Sequence, residues 1–515
     1  MFARRTRRTE AYAVREEAAE LAALRPHPNH LNNGEEADYR NPSNQLSYIA
    51  NFSKALPHTR LGEVVRDAYL ALLKALYSGD PDHFEQIPLG RPNGLDLTNP
   101  QAGLAFDLEG PDAQAVTMPP APRIDSLEGM GEMGELYWMA LLRDVSFIDY
   151  ATPGVGTNAG PNTTADAVVS LNAFRDFRGP REGMPPAVTI QTLFRGVTPG
   201  DVVGPYLSQF LLIGNADPPV VPQDGLISYG TLKIDQRQRT VLGLAAGGTD
   251  FLTRYERPDI PPAFPPPPPL VPPAWLDVQN GVNLYFDPAL GGTVQLIELD
   301  RFDPQRRFIR NLRDLANYVH FDALYEAYLN ACLILLNIRA PFDPAFDPGN
   351  PYILSRTQDG FGTFGAPHIL SLVTEVATRA LKAVWFQKWG VHRRLRSEEF
   401  GGRIHVHLRD LPPRAFLPYA GHPGLAAGRY PMLNVALVAL GAPPPQLTVG
   451  GELNKLAANI SLGRNAAGVH WRSDYTESVS LGEEIAIGLL QEQKLTYNEP
   501  HHFSLTRFDG TVITI

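Results

Sequence analysis

The sequence predicts a protein built mainly from packed α-helices. Apolar residues recur three and four positions apart through several long segments in both halves, which is the spacing of a buried helix face. Strand patterns are short and scattered, and loops rich in Pro, Gly, Asn and Asp separate the helical segments. The chain has 515 residues, which exceeds the size at which one hydrophobic core usually stops growing. We therefore expect a mostly α fold with two core regions.

The apolar spacing places three helices before a proline-rich segment and five after it. Asp322 has the position of an N-cap residue for the second of those five, and Pro367 stands where the third begins. Short strands are predicted for GGTVQLIEL (291–299) and for the terminal GTVITI (510–515). The predicted helices span 62–79, 131–147, 165–177, 307–319, 322–338, 367–390, 451–464 and 477–494.

The segment PPAFPPPPPLVPPAW, residues 261–275, must be extended polyproline, because proline lacks the amide that a helix requires. We interpret it as a stiff surface connection between an N-terminal helical half, 1–260, and a C-terminal helical half, 276–515. Two alternatives stay open. The two halves could form one continuous globular unit, and the segment could be a ligand for an SH3-type domain.

Composition narrows the class of protein. A hydrophobic content of 43% with 19% charged residues is typical of a soluble globular protein, and the net charge of −10 disfavours nucleic-acid binding. Cys332, the single cysteine, excludes an internal disulfide and a thiolate zinc cage, and we expect a buried structural thiol. The N-terminus lacks the apolar stretch of a secretory signal, and no apolar run is long enough for a membrane span. A cytoplasmic location is the default expectation.

The helix predicted over 367–390 carries a lysine on its apolar stripe. At about 100° per residue, Lys388 lies only about 20° from Ala377, eleven positions earlier, so its side chain should face the interior. The alternative is a lysine that extends past the helix end to water. The stripe consists of Leu370, Val373, Ala377, Leu381 and Val384.

The helix predicted over 451–464 repeats this pattern with an arginine. Arg464 continues the stripe of Leu453, Leu456, Ala457 and Ile460, and the same alternative applies to it. Two cations, Lys388 and Arg464, that each continue the apolar stripe of a long helix favour a shared anion in the interior.

A third candidate cation, Arg396, follows Lys388 by eight residues. Its neighbours Arg393 and Arg394 leave open a solvated basic patch. Buried cations need a partner because desolvation is otherwise costly, and three of them suit a multiply charged oxyanion.

The stretch GRNAAGVHWRSD (463–474) adds a histidine and an aspartate to this group. A neutral imidazole at His470 can bond to a central atom through one nitrogen, while Asp474 fixes the tautomer through the other. In phosphate chemistry the same imidazole would attack phosphorus. The alternative for His470, beside Trp471, is a satisfied core histidine.

Several motifs, in order, resemble the vanadium-dependent haloperoxidases, particularly their bromoperoxidase-like bacterial and algal branch. They are QKWGVHRRLR, AGH, LTVGGELNKLAANISLGRNAAGVHWRSD and FSLTRFDGTVITI, and the resemblance covers nearly the whole chain. It implies an all-α fold of two packed helical bundles of the four-helix type, with vanadate in the second bundle. It also implies a homo-oligomer and a relation to the acid phosphatases of the phosphatidic-acid-phosphatase superfamily.

The resemblance implies a role for each matching residue. His470 would coordinate vanadium and Asp474 would orient it, while His422 would move the protons of incoming peroxide. Trp385 and Gln387 could line a halide pocket, although Trp385 could equally belong to the core. The vanadate oxygens would be bound by Lys388, Arg396, Arg464 and the amide of Gly421.

The implied activity is that of a haloperoxidase. Vanadate acts as a Lewis acid that binds hydrogen peroxide and polarises its O–O bond. A halide, for which we expect bromide with chloride and iodide as alternatives, then attacks one oxygen, and the hypohalous-acid equivalent halogenates a small organic acceptor. Two alternatives use the same pocket: an acid phosphatase with His470 as nucleophile, and an inactive oxyanion-binding protein.

This chain departs from the family's pattern around the site. The family's Arg-Pro pair is Arg396-Ser397 here, and its glycine-histidine motif is preceded by Ala420. Only 25 residues separate Arg396 from His422, and 41 separate His422 from Arg464, intervals shorter than in the family. This compression motivates the inactive alternative, and His405 and His407 are possible replacements for His422.

Overall fold

The computed structural model describes residues 6–91, 94–154, 158, 160, 162–213, 275–276, 279–281, 309–320, 325–338, 340, 349–410 and 447–515. Three predicted features of the fold lie outside these residues. They are the proline run up to Ala274, the strand at 291–299 and the N-cap at Asp322.

The all-α expectation is confirmed, and every predicted helix has a counterpart in the structure. The helices are α1 Arg7–Leu24, α2 Arg66–Ser78, α3 Pro81–Glu85, α4 Leu127–Leu141, α5 Thr164–Asn172, α6 Gln209–Ile213, α7 Leu312–His320, α8 Glu326–Asn337, α9 Ala366–Trp385 with a π-helical extension Phe386–His392, α10 Ser397–Asp410, α11 Val449–Ala466 and α12 Arg472–Gln493. A β-hairpin pairs β1 (Ser504–Thr506) with β2 (Val512–Thr514), so the predicted terminal strand is also confirmed.

Local capping chemistry sets several helix boundaries. Pro367 lies in the first turn of α9, where a missing amide costs nothing. The hydroxyl of Ser126 accepts a hydrogen bond from the amide of Gly129, which starts α4 before the predicted position. The carboxylate of Asp474 accepts the amide of Trp471 over 3.1 Å, and α12 consequently begins at Arg472, five residues before its apolar pattern.

The largest core cluster draws on both predicted halves of the chain. It packs α4 and α5 against α7 and α11, and α9 lies against α12 and α8. Cys332 on α8 is buried, as predicted, and burial raises the pKa of its thiol. The boundary between 1–260 and 276–515 stays a prediction. Members of the cluster include Leu136, Leu171, Leu193, Leu312, Leu462 and Trp471.

A buried ion pair joins the first half of the chain to the start of α12. The guanidinium of Arg472 is fully buried, and its Nε donates to Glu135 on α4 over 2.7 Å. Of the helices that the structure describes, none combines the length and apolar character needed to cross a bilayer.

We expect Glu135→Gln to destabilise the protein by about 3–5 kcal/mol, because it leaves the charge of Arg472 buried without a counterion. The matched control is Glu10→Gln on α1, whose partner Arg7 lies 3.8 Å away on the surface. That exposed pair should contribute less than about 0.5 kcal/mol. Urea unfolding of both variants measures the difference, and equal free energies of unfolding would contradict this account.

Candidate active site

The helix that carries Lys388 changes its geometry just before that residue. After Trp385, α9 continues as a π-helix through His392, and the amide of Arg393 donates to the carbonyl of Lys388 five residues earlier over 3.0 Å. The angle of about 20° between Ala377 and Lys388 was calculated for a regular α-helix, so it does not apply across this π-helical segment. Single π-helical turns occur frequently at functional sites.

The ammonium group of Lys388 lies among aromatic rings. Its Nζ is 4.6 Å from the ring centroid of Phe52, 4.7 Å from that of Trp385 and 4.9 Å from that of Trp389. Burial lowers the pKa of Lys388 to about 7, and the positive charges of Arg396 and Lys54 add to this effect. These ring contacts favour the inward orientation over a lysine that extends to water.

Arg396 is held by a carboxylate that the sequence did not single out. Its Nε lies 3.2 and 3.3 Å from the two carboxylate oxygens of Glu398, and Lys54 Nζ lies 3.0 Å from one of them. Burial alone would raise the pKa of Glu398, but Arg396 and Lys54 outweigh it and hold that pKa below its usual value. Lys54 lies far away in the chain, and no local pattern connects it with Glu398.

The neighbouring arginines do not form a solvated patch, so that alternative is wrong. Arg393 is buried, and its Nε lies 2.8 Å from Glu36. Arg394 Nη2 lies 2.6 Å from Glu132 on α4, and Nη1 donates to the hydroxyl of Ser473 over 2.7 Å. Carboxylates from distant parts of the chain neutralise both cations.

The histidine and aspartate of the last motif are paired as predicted. Nδ1 of His470 lies 3.0 Å from the Asp474 carboxylate, and Arg394 Nη1 lies 3.4 Å from the same group. Burial lowers the pKa of His470, and the positive charges of Arg396 and Arg464 lower it further. The pKa of Asp474 is held far below its usual value: His470 and Arg394 outweigh the effect of burial.

The lowered pKa of His470 favours the neutral imidazole. Nδ1 carries the proton that is donated to Asp474, which leaves the lone pair of Nε2 for another group. The side chain is partly buried, with 39% of its surface exposed, so it is not enclosed in the way that the core-histidine alternative requires.

Arg464 occupies the last turn of α11, close enough to lower the pKa of His470 by its charge. Its Nη1 donates to the carbonyl of Val319 over 2.8 Å. The predicted stripe is wrong at its start, because Leu453 is exposed. Polar side chains on other faces of α11 are buried instead, including Lys455, whose ammonium lies 2.6 Å from Glu452.

The remaining candidates are distributed as follows. Trp385 contacts Lys388 through its ring and donates from Nε1 to the carbonyl of Thr98 over 2.9 Å. Gln387 is buried and donates to the carbonyl of Val116 over 3.1 Å. The structure does not describe Ala420, Gly421, His422 or the side chains of His405 and His407.

The assembled residues have the chemistry of an oxyanion site. Within the described ranges, Lys388 forms no ion pair with a carboxylate; aromatic faces lie against its ammonium group, and Glu398 and Asp474 act on it only from a distance. Two further cations, Arg396 and Arg464, act electrostatically on the same neutral imidazole. A tetrahedral anion would supply negative charge here, and Nε2 of His470 would be available to bond its central atom. Fold and site together define an all-α protein with a cluster of cations around a histidine–aspartate pair.

Comparison with known proteins narrows this class. The chain is similar to the vanadium-dependent bromoperoxidase of Corallina officinalis, with 37% identity over 99% of this chain and 98% of that protein. The corresponding enzyme of Ascophyllum nodosum is 28% identical over 94% of this chain and 88% of its own length. A solved homohexameric structure of the second vanadate-dependent bromoperoxidase of Ascophyllum nodosum matches with a TM-score of 0.73 and 25% identity, over 99% of this chain and 90% of that chain. No family model matched.

The chain belongs to the vanadium-dependent bromoperoxidase family. The expected family resemblance is thus confirmed, and it extends over almost the full length of both this chain and its Corallina relative.

Replacing Lys388 with methionine should stabilise the anion-free protein, and more so at about pH 6 than at about pH 9. The folded pKa of about 7 lies below the ordinary value of 10.5, so charged Lys388 disfavours folding fully below pH 7. This cost declines as the pH rises from 7 towards 10.5. We expect the stabilisation to differ between the two pH values by on the order of 2 kcal/mol.

Urea unfolding at both pH values measures this difference. Lys74→Met on α2, at an exposed position, is the control and should show no such pH trend. A stabilisation by Lys388→Met that does not change with pH would contradict a desolvated charge at this position.

Proposed function

We propose that this protein is a vanadate-dependent haloperoxidase that uses hydrogen peroxide to oxidise bromide. The observation that carries the proposal is the set of linked charges around His470: Arg396 and Arg464 lower the pKa of its imidazole, and Arg396 also lowers the pKa of Lys388. It occurs in a chain that matches a vanadium-dependent bromoperoxidase over 99% of its length.

The described residues fit vanadate. Lys388 lacks a carboxylate partner among them, and Arg396 and Arg464 supply guanidinium donors for anionic oxygens. His470 would bind vanadium through Nε2, and Gly421, outside the described residues, would contribute its amide. When bound, vanadate supplies a Lewis-acidic centre that activates hydrogen peroxide towards a halide.

The protein's own residues fix charge and protonation around that centre. Asp474 holds the proton of His470 on Nδ1, and Arg394 with Ser473 holds that end of α12 in place. A bound anion raises the pKa of Lys388 above 7, because its negative charge favours the ammonium form. Lys388 then remains a donor near neutral pH. We assign the proton transfers of the reaction to His422.

The halide would enter next to Lys388. Trp385 contributes a ring 4.7 Å from the ammonium group, which gives a polarisable anion both a positive charge and an apolar wall. Bromide is our choice because the matching relatives are named bromoperoxidases. The organic acceptor is a small molecule that the released hypohalous-acid equivalent halogenates.

The phosphatase alternative is not favoured, because the matching relatives are named as peroxidases. In a phosphatase, His470 would attack phosphorus and vanadate would act as an inhibitor. The inactive alternative would bind vanadate without turnover. One experiment separates all three.

The purified protein, loaded with orthovanadate, should brominate a phenol dye when hydrogen peroxide and bromide are added. His470→Ala should abolish this activity, since it removes the ligand of the central atom. The absorbance of the dye measures the rate, and hydrolysis of p-nitrophenyl phosphate is followed in parallel. Phosphate release that vanadate inhibits, or vanadate binding without bromination, would contradict the proposal.

We further propose that the protein is a homo-oligomer. The matching solved structure is homohexameric. Helix α1 buries none of its residues within the chain, and it exposes Tyr12 and Leu24, which a second copy would cover.

Light scattering after size-exclusion chromatography should therefore give a mass of at least twice the 56.6 kDa of one chain. Tyr12→Glu together with Leu24→Glu should shift the mass towards that of one chain, because charges on this face oppose burial. A wild-type mass of one chain would refute the assembly.

A further inference from the structure

Two segments that carry residues of the site are hydrogen-bonded to each other. We call residues 394–397 and 468–474 the clasp segments. The indole Nε1 of Trp471 donates to the carbonyl of Leu395 over 2.8 Å, and both residues are buried. Leu395, the residue before Arg396, thus connects Arg396 to the second clasp segment.

Ser397 makes the second contact, on the other side of Arg396. Its side chain is fully buried, and its hydroxyl donates to the carbonyl of Gly468 over 2.7 Å. The same hydroxyl lies 3.4 Å from the carbonyl of His470. The haloperoxidase motif has proline after this arginine, so the hydroxyl is a feature of this chain rather than of the motif.

The acceptor of this hydrogen bond lies at a sharp reversal of the chain. Gly468 has φ = +76°, a left-handed conformation that favours glycine and commonly ends a helix. The next amide, of Val469, donates back to the carbonyl of Arg464 over 3.2 Å. This turn determines how far Arg464 lies from His470, and the hydroxyl of Ser397 holds its central carbonyl.

We propose that Ser397 is a positioning residue that fixes Arg396, Arg464 and His470 relative to one another. Its hydroxyl thereby sets how tightly the site retains a tetrahedral oxyanion. The inference rests on the proposed function. Removing the hydroxyl leaves the buried carbonyl of Gly468 without its donor, and the turn relaxes to recover one. Metal coordination and charge-assisted hydrogen bonds are sensitive to such shifts.

The test is a titration of the vanadate-free protein with orthovanadate, followed by calorimetry. Ser397→Ala should bind about tenfold more weakly than the wild type, as expected for the loss of a group that supports a metal ligand. Ser397→Cys keeps the shape but offers only a weak donor, so its affinity should be intermediate.

The matched control is Ser208→Ala, remote in sequence from the clasp segments. Ser208 is also fully buried, and its hydroxyl donates to the carbonyl of Glu452 over the same 2.7 Å. This variant should lose a comparable amount of thermal stability while binding orthovanadate as tightly as the wild type. A purely structural role for Ser397 would give the two alanine variants the same dissociation constant.

The inference is overturned if Ser397→Ala binds orthovanadate as tightly as the wild type. It is also overturned if Ser208→Ala loses the same affinity for orthovanadate. Neither result contradicts the proposed function. If Ser397→Ala does not fold, Ser397→Cys is the test variant. Wild-type affinity of Ser397→Cys for orthovanadate then overturns the inference. Failure of the wild type to bind orthovanadate overturns the proposed function and this inference together. The wild-type titration therefore distinguishes the two failures.

Discussion

A positive charge that is removed from water must be matched by negative charge, and the centre of this molecule is organised by that requirement. Arg393 and Arg394 have carboxylate partners within 3 Å, and Arg396 has one at 3.2 Å. Lys388 has aromatic faces instead, which compensate a charge only partly. Its pKa of about 7 reflects burial with this incomplete compensation.

The counter-charges come largely from outside the helices that carry the site. Glu36 pairs with Arg393, and Glu132 on α4 pairs with Arg394, which in turn contacts Asp474. Lys54 shares the carboxylate of Glu398 with Arg396. The first 150 residues therefore do more than cover the C-terminal helices. Glu36, Lys54 and Glu132 of this N-terminal part pair with charged groups near His470. This pairing gives a physical reason for the length of the N-terminal part.

Protonation at the site follows from the same arrangement. Burial and two arginines lower the pKa of His470, which favours its neutral form, while His470 and Arg394 keep Asp474 ionised. A neutral imidazole that donates to a carboxylate has a single available lone pair with a defined direction. Two backbone features aim the groups involved: the π-helical turn before Arg393 and the left-handed Gly468. Neither follows from an α-helical periodicity.

The sequence alone determined the helical class, eight of the twelve helices in the described part of the chain, and several of the residues that lie together around His470; it missed α1, α3, α6 and α10. Helix positions follow from apolar spacing because one face of each helix must be buried. The His470–Asp474 pair follows from its four-residue separation at the start of a helix.

Tertiary structure alone decided the partners of the cations. Lys54, Glu36 and Glu132 lie hundreds of residues from the groups they contact, and no local pattern encodes such a distance. It also decided which face of α11 is buried, where ion pairing with Glu452 let Lys455 replace Leu453 in the interior. Local sequence specifies backbone hydrogen bonds and amphipathic faces, whereas the compensation of buried charge depends on which segments the fold brings together.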